Sequence, residues 1–226
     1  MLNIVNSKIK QGASGWQPVV VDGDGQASIK VMSIGFLLPR QDDAIIWRGP
    51  KKSCKSTIIL LFSLICSYSV LAIISQFVSN VEWGYLDYLV VDTPPGTSDE
   101  HLTILENIVT QQRPLRALIV TTPQLAAIAD VMRIIGFCQT VGLSIVGLVE
   151  NMSGYLCPHC ACCTNVFSRE GGRQLAERYQ MPFLAQIPIA PSFNQLVEAN
   201  DARPLTDYPK RVPELYQIFT GLIKHL

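Results

Sequence analysis

Two short stretches of this sequence, 92–101 and 157–163, carry residue types that could do chemistry. The first reads Asp-Thr-Pro-Pro-Gly-Thr-Ser-Asp-Glu-His and directly follows the apolar run Leu86–Val91. An aspartate at the end of a buried strand can hold a magnesium ion through water, and a Pro-Pro-Gly turn leaves backbone N–H groups open to a phosphate. The stretch therefore predicts the magnesium side of a nucleotide site, although the same residue types also occur in ordinary strand-to-helix turns.

The second stretch, Cys-Pro-His-Cys-Ala-Cys-Cys, has the spacing of a metal site. Two intervening residues let the thiolates of Cys157 and Cys160 face one ion. Zinc and [4Fe–4S] sites each need about four ligands, so one pair is incomplete, and a twofold dimer would supply the other pair. The spacing alone leaves open a cluster site, a zinc knuckle and a redox pair.

Composition limits the classes of protein to which the chain could belong. Its 226 residues suit a single domain with a sizeable core, and 18 basic residues balance 18 acidic ones, so no nucleic-acid partner is expected. Of its seven cysteines, four lie between Cys157 and Cys163, which favours a metal or cluster site in a reducing compartment over secreted disulfides. The start of the chain does not resemble a signal peptide, so a cytoplasmic location is expected.

The elements that must position these residues follow from the apolar pattern. Apolar runs alternate with amphipathic stretches downstream of Asp92, which predicts an α/β fold with a mostly parallel sheet flanked by helices. Ligands of such sheets bind beyond the carboxyl ends of the strands. Strands are predicted at Gln17–Val21, Ile29–Ile34, Leu86–Val91, Ala117–Thr122, Ser144–Glu150 and Phe183–Ile187, and helices at Gln124–Thr140, Gly172–Tyr179 and Pro213–Leu226.

Four motifs taken together resemble the Mrp/Nbp-type, MinD-like P-loop ATPases. They are the stretches Val91 to His101, Thr121-Thr-Pro-Gln124, Val149-Glu-Asn-Met-Ser-Gly154, and Cys157-Pro-His-Cys160 with Cys163. The cysteine stretch looks most like that of the smaller cytosolic scaffold of the family. The resemblance implies an ATP-dependent scaffold that assembles [4Fe–4S] clusters in the cytosolic iron–sulfur pathway and passes them to apo-proteins.

The resemblance also implies site residues, ligands and partners. Asp92 and Gly96 would serve catalysis on the magnesium and switch side, and Asn151 would contact adenine unless it merely closes a turn. Cys157 and Cys160 would hold a [4Fe–4S] cluster that bridges two subunits, with Cys163 as an auxiliary thiol. ATP and magnesium are the other implied ligands. The implied assembly is a homodimer or a heterotetramer with a larger sibling scaffold.

Two departures from the family set further expectations. The sequence contains no Gly-x-x-x-x-Gly-Lys-Ser/Thr motif; in the family the first strand and this Walker A loop precede the position that matches Met1. Residues 1–226 are therefore expected to form a single incomplete P-loop domain that binds ATP poorly or not at all. The cysteine-bearing loop is placed at 151–172.

The second departure is the segment Cys54–Leu71, which the family lacks. From Ser56 to Val81 the sequence carries no charged residue. The length and apolarity of the segment would suit a membrane helix, but its removal restores a family-like amphipathic helix. We therefore interpret it as an unspliced intron, and membrane association is not expected.

An alternative function stays open at this point. The chain could be a non-catalytic paralogue that binds zinc or a cluster and docks on a sibling scaffold. A third class, a MinD-like membrane-associated organiser, depends on the apolar segment alone.

Overall fold

The computed structural model describes residues 8–12, 15–22, 28–37, 71–157, 160, 162–167, 170–198 and 204–225. The chain divides into two compact units. The single incomplete domain expected over residues 1–226 stays a prediction. The C-terminal unit comprises Met1–Leu2, Pro95–Thr97 and Leu115–Leu226, and the N-terminal unit comprises Asn3–Pro94 and Ser98–Pro114. Of the predicted insert Cys54–Leu71, only Leu71 lies within the described residues.

Among its described residues, the N-terminal unit contains short strands, a 3-10 helix and two α-helices. Strand β1 (Lys10–Gln11) pairs antiparallel with β2 (Trp16–Gln17), and β3 (Val19–Asp22) pairs antiparallel with β4 (Ser28–Val31). A short 3-10 helix follows at Ile34–Leu37. Helix α1 is described over 71–79, and α2 spans Asp99–Thr110. The β3–β4 hairpin confirms the two strands predicted near the amino terminus, within a few residues at each end.

Side-chain contacts join α1 to its surroundings within this unit. The Trp16 ring meets the Phe77 ring edge-on at 5.6 Å between centroids. The Asn107 amide of α2 donates to the Ser75 hydroxyl at 3.1 Å and accepts from the Ser79 hydroxyl at 3.3 Å. These polar contacts fix the two helices against each other.

The prediction of a strand at Leu86–Val91 is wrong, because these residues form no strand in the described structure. Val90 is 86% exposed and Tyr88 is 70% exposed. An apolar run becomes a buried parallel strand only when neighbouring strands satisfy its backbone groups and helices cover its faces. Neither condition is met for these residues in the described structure.

The C-terminal unit contains the main sheet, which is mostly parallel. Strand β5 (Arg116–Thr121) and strand β8 (Phe183–Ile189) both pair parallel with β6 (Ser144–Leu156), and β7 (Cys163–Thr164) pairs antiparallel with the end of β6. The helices are α3 (Leu125–Val141), α4 (Gly171–Arg178), α5 (Pro191–Glu198), α6 (Pro204–Arg211) and α7 (Pro213–Ile223).

Most predicted elements of this unit are confirmed, and the differences are a longer β6 and two additional helices. The β6 strand runs six residues beyond its predicted end at Glu150, into the region assigned to a loop. Helices α5 and α6 were not predicted. A proline begins α7, as expected, because its missing N–H costs nothing at the first helical position.

Two groups of buried side chains hold the C-terminal unit together. In the first, α3 and α4 pack on the sheet through Ile119, Val131, Ile135, Leu148, Leu175 and Ala176. In the second, α5, α6 and α7 meet through Ala190, Leu196, Val212 and Leu215. Among the described helices, none has both the length and the apolarity that a membrane crossing requires.

The hydroxyl of Tyr208 in the second group gives a prediction about stability. The hydroxyl is buried without a hydrogen-bond partner in the described structure, and burial raises its pKa. Because the hydroxyl makes no compensating bond, we expect Tyr208→Phe to leave the free energy of unfolding unchanged or to raise it by up to about 1 kcal/mol. Urea unfolding of both proteins measures the difference.

The matched variant Tyr208→Ala should behave differently, because it loses ring contacts to Phe193 and Tyr216 at centroid distances of 5.7 and 5.9 Å. A loss of about 2–4 kcal/mol is expected. Since the folded-state pKa is raised, the contribution of Tyr208 is present below pH about 10 and is lost above it. Tyr208→Phe should lack that alkaline decline, and a Tyr208→Phe variant as unstable as Tyr208→Ala would contradict the assignment.

Candidate functional site

A buried carboxylate lies at the centre of the candidate site in the C-terminal unit. Glu150, on β6, has no exposed surface. One of its oxygens accepts from the Gly172 backbone N–H at 2.6 Å, and the other accepts from the Ser153 hydroxyl at 2.6 Å and the Gln186 amide at 3.4 Å. These bonds, together with the positive end of α4, compensate the desolvation of the charge.

The approach of α4 to this carboxylate explains why glycine occupies position 172. A Cβ atom there would lie 2.9 Å from a Glu150 carboxylate oxygen and 3.1 Å from Leu148. Any side chain would therefore push α4 away from the strand and break the bond from its N–H. Glu150 links β6 to α4 directly and to β8 through Gln186.

A bulge in β6 follows this carboxylate. Between the pairs Asn151–Ile187 and Tyr155–Ile189, β6 has three residues and β8 has one. Met152 and Gly154 accommodate the additional residues of β6 by adopting positive φ angles of 57° and 140°. Bulges of this kind redirect a strand and are frequent beside functional sites.

Asn151 lies at the start of the bulge and is half-buried. Its side-chain oxygen accepts from the Met152 N–H at 3.0 Å. This is the local bond of an asparagine that closes a turn, which was the alternative to adenine contact. The role of Asn151 toward a nucleotide stays a prediction.

Beyond the bulge, β6 and β7 form the antiparallel hairpin that carries the cysteines. Leu156 pairs with Cys163 and Tyr155 with Thr164, and the Cys157 N–H donates to the Cys162 carbonyl at 3.0 Å. The thiol of Cys157 is half-buried, whereas those of Cys160, Cys162 and Cys163 are exposed. The hairpin places Cys157 directly after the end of its first strand, β6.

Cys163 lies close to the bulge. Its sulfur occupies the space where a Cβ of Gly154 would stand, at 2.7 Å. Gly154 is required there both for its positive φ and for this contact. By contrast, Cys138 of α3 is 2% exposed, and burial raises the pKa of its thiol, as expected for a core cysteine.

The nucleotide-side residues are distributed over both units. Asp92 belongs to the N-terminal unit and is exposed. Gly96 belongs to the C-terminal unit and has a φ of 91°, which fits a glycine in a turn. His101 caps α2, since its Nδ1 accepts from the Ser98 N–H at 3.3 Å, which agrees with a structural role for this histidine.

Glu150 is the residue whose importance the sequence analysis missed. It appeared there only as a letter of the Val149–Gly154 motif. A signal existed: Glu150 is the one ionisable residue of the run 144–150, whose other members are Ser, Ile, Val, Gly, Leu and Val. A charge at the end of a strand predicted to be buried needs partners, and two of the three come from α4 and β8, far along the chain.

The carboxylate gives a second prediction. Glu150→Gln removes the charge and sets an amide N–H against the Gln186 amide, so the free energy of unfolding should fall by about 1–3 kcal/mol. Glu150→Ala leaves three partners unpaired and opens a cavity, so a larger loss, about 3–5 kcal/mol, is expected. The exposed Glu177 of α4 supplies the control, because Glu177→Gln should change stability by less than about 0.5 kcal/mol. Equal losses in the Glu150→Gln and Glu177→Gln variants, in urea unfolding, would contradict this role.

Comparisons with known proteins agree with this fold and these motifs. The family model described as ParA, NUBPL iron-transfer P-loop NTPase, matches residues 1–224. The cytosolic Fe-S cluster assembly factor NUBP2 of Bos taurus is 48% identical over 210 residues, which cover 92% of this chain and 69% of that protein. The cytosolic Fe-S cluster assembly factor CFD1 of Saccharomyces cerevisiae is 46% identical over 198 residues, which cover 88% and 61%.

A solved structure shares the fold. The nucleotide-binding protein of Archaeoglobus fulgidus, in complex with ADP, superposes with a TM-score of 0.59 at 27% identity, over 99% of this chain and 68% of that one. This chain therefore spans about two thirds of the length of these relatives. The fold predicted from the sequence is confirmed, and the chain belongs to the ParA family of NUBPL-type iron-transfer P-loop NTPases.

Proposed function

We propose that this chain takes part in cytosolic iron–sulfur cluster assembly, with a [4Fe–4S] cluster as its cargo. Cys157 and Cys160 of two copies would supply the four thiolates, and Cys163 would assist as an auxiliary thiol. The complete cluster would then pass to apo-proteins in the cytoplasm. The names of the relatives, cytosolic Fe-S cluster assembly factors, support the pathway.

The single observation that carries the proposal is the accessibility of the CxxC thiols. Cys160 is exposed and Cys157 is half-buried at the end of a hairpin. A cargo cluster must be received and released, so its ligands have to be reachable from another molecule. A set of two thiolates per chain is also incomplete for either zinc or a cluster, which favours a second copy or a sibling chain as the source of the other pair.

The remaining motif residues would form the magnesium, switch and adenine contacts of a nucleotide site, and the Walker A loop, which this sequence does not contain, would supply the phosphate cradle. Asp92 would hold magnesium through water, the N–H of Gly96 would sense the terminal phosphate, and Asn151 would contact adenine. In this family-based mechanism, hydrolysis changes the switch segment and thereby the subunit interface that holds the cluster. An ADP complex of the Archaeoglobus fulgidus protein supports nucleotide binding as a property of the fold.

Anaerobic reconstitution with iron and sulfide tests the cargo. We expect about two iron atoms per chain, broad visible absorption and a dimer in size-exclusion chromatography, since one [4Fe–4S] cluster is shared by two chains. Cys157→Ser and Cys160→Ser should each lose most of the iron, because each removes two of the four ligands from the dimer. Iron and sulfide analysis, with the visible spectrum, measures the loss.

The control is Cys138→Ala, which removes a buried thiol of α3 and should retain the cluster. A colourless protein that holds stoichiometric zinc after reconstitution would overturn the proposal in favour of the zinc-binding alternative.

Nucleotide binding by the 226-residue chain is a separate test. Because its sequence contains no Walker A motif, the phosphates lack their N–H cradle and lysines, and binding of magnesium-ATP should be weak or undetectable in isothermal titration calorimetry. Reconstituted protein should behave like the apo-protein in this respect. Micromolar affinity that Asp92→Ala abolishes would contradict this expectation.

A further inference from the structure

We propose that Cys157 and Cys162 form a reversible disulfide across the β6–β7 hairpin, and that this disulfide switches off the CxxC site. Cys162 has no role in the proposed cargo site, and its thiol is exposed beside that site. The disulfide itself does not depend on the proposed function, whereas its effect on cargo does.

The register of the hairpin sets Cys157 and Cys162 opposite each other. Tyr155 pairs with Thr164 and Leu156 with Cys163, so the next pair of the ladder joins Cys157 to Cys162. The hydrogen bond from the Cys157 N–H to the Cys162 carbonyl, at 3.0 Å, closes that pair.

Side-chain alternation then separates the neighbouring cysteines. Successive side chains of a strand point to opposite faces, so Cys157 and Cys162 share one face of the hairpin and Cys163 lies on the other. The sulfur of Cys163 is found against Gly154, which agrees with its place on the face of Leu156. Of the two adjacent residues Cys162 and Cys163, Cys162 is therefore the one that can reach Cys157.

The separation suits a disulfide that forms with some strain. Opposite residues in a hydrogen-bonded antiparallel pair have Cα atoms about 5.5 Å apart, within the range of about 4.4–6.8 Å that disulfides span. Their Cβ atoms stand about 4.5–5.5 Å apart, slightly beyond the usual disulfide value of about 3.8 Å. The hairpin must tighten to close the bond, and a strained, exposed disulfide is easily reduced. The structure holds both residues as free thiols.

With glutathione disulfide as the oxidant, the exposure of the two thiols sets the order in which they react. The exposed thiolate of Cys162 attacks one sulfur of glutathione disulfide, which forms a mixed disulfide and releases one glutathione thiolate. The thiolate of Cys157 then attacks the Cys162 sulfur and displaces the second glutathione. Two protein thiols are oxidised, one glutathione disulfide is reduced to two glutathione molecules, and their protons come from the two cysteines. Reduced glutathione in excess reverses both steps.

The consequence for the site follows from ligand count. Cys157 in a disulfide cannot bind metal, because the thiolate is the ligand. Each oxidised chain would keep only Cys160 of its CxxC pair. Oxidation would therefore stop the scaffold from binding its cargo, and reduction of the disulfide would restore binding.

Differential alkylation of the 226-residue apo-protein tests the disulfide. Reduced protein is exposed anaerobically to glutathione disulfide, free thiols are blocked with iodoacetamide, and disulfides are then reduced and labelled with N-ethylmaleimide. We expect fragmentation mass spectrometry to place the second label on Cys157 and Cys162 in equal amounts, with Cys160 and Cys163 blocked by the first. The intact oxidised chain should also be lighter than the reduced chain by two hydrogens.

Two matched variants separate the neighbouring thiols. Cys163→Ser should form the disulfide as the unmodified protein does, because Cys163 lies on the other face. Cys162→Ser should leave Cys157 without this partner. A bond between Cys157 and Cys160, a bond to Cys163, or glutathione retained on Cys162 without ring closure would each overturn the proposal.

Zinc binding, measured with zinc alone, tests the effect on the site without requiring a cluster. The oxidised protein should lose most of the zinc that the reduced protein binds, and dithiothreitol should restore it. Unchanged zinc binding after complete formation of the disulfide would overturn the switch. If the reduced protein fails to hold a cluster while the mapped disulfide forms, the proposed function fails and the disulfide stands. If the reduced protein holds a cluster and the disulfide does not form, the disulfide fails and the proposed function stands.

Discussion

The arrangement of the C-terminal unit depends on the burial of one carboxylate. Glu150 brings a negative charge to a fully enclosed position at the middle of β6, and such a charge is tolerated only when hydrogen bonds and a compensating field surround it. The N–H of Gly172, at the start of α4, supplies a hydrogen bond and the positive field of the helix terminus, and Gln186 adds a contact from β8. The carboxylate therefore fixes where α4 begins relative to the sheet.

The cysteine hairpin follows from the same constraint. Ser153, inside the bulge, donates to the Glu150 carboxylate, so the bulge is held at its inner side. Beyond the bulge, Tyr155 still pairs with Ile189 of β8, and the end of β6 also pairs antiparallel with β7. The thiols are consequently presented by a short antiparallel ribbon whose root is anchored in the core, while its far end reaches solvent. The proposed transfer of a cluster depends on this combination of an anchored root and exposed thiols.

The N-terminal unit illustrates the opposite case, in which an apolar run lacks what would bury it. The residues before Asp92 have the composition of a parallel strand, and yet Val90 and Tyr88 are largely exposed. Helix α2 nevertheless forms directly after this stretch, with Asp99 and Glu100 in its first turn and His101 as part of its cap, because these interactions act within one turn. A hydrogen bond from the Ser98 hydroxyl is the main cause that lowers the pKa of Glu100 at this terminus, and its backbone N–H adds to the effect.

The sequence by itself determined the features that depend on near neighbours. The spacing of apolar residues located α3, α7 and the cores of β5, β6 and β8, and the motifs identified the family. The CxxC spacing indicated paired thiol ligands before any fold was known. The tertiary structure decided what depends on residues far apart in the chain: the partners of Glu150, the continuation of β6 through a bulge, and the face on which each cysteine lies. Strand register cannot be deduced from one strand alone, because it is set by the backbone hydrogen bonds of its partner, and here that register placed Cys162 rather than Cys163 opposite Cys157.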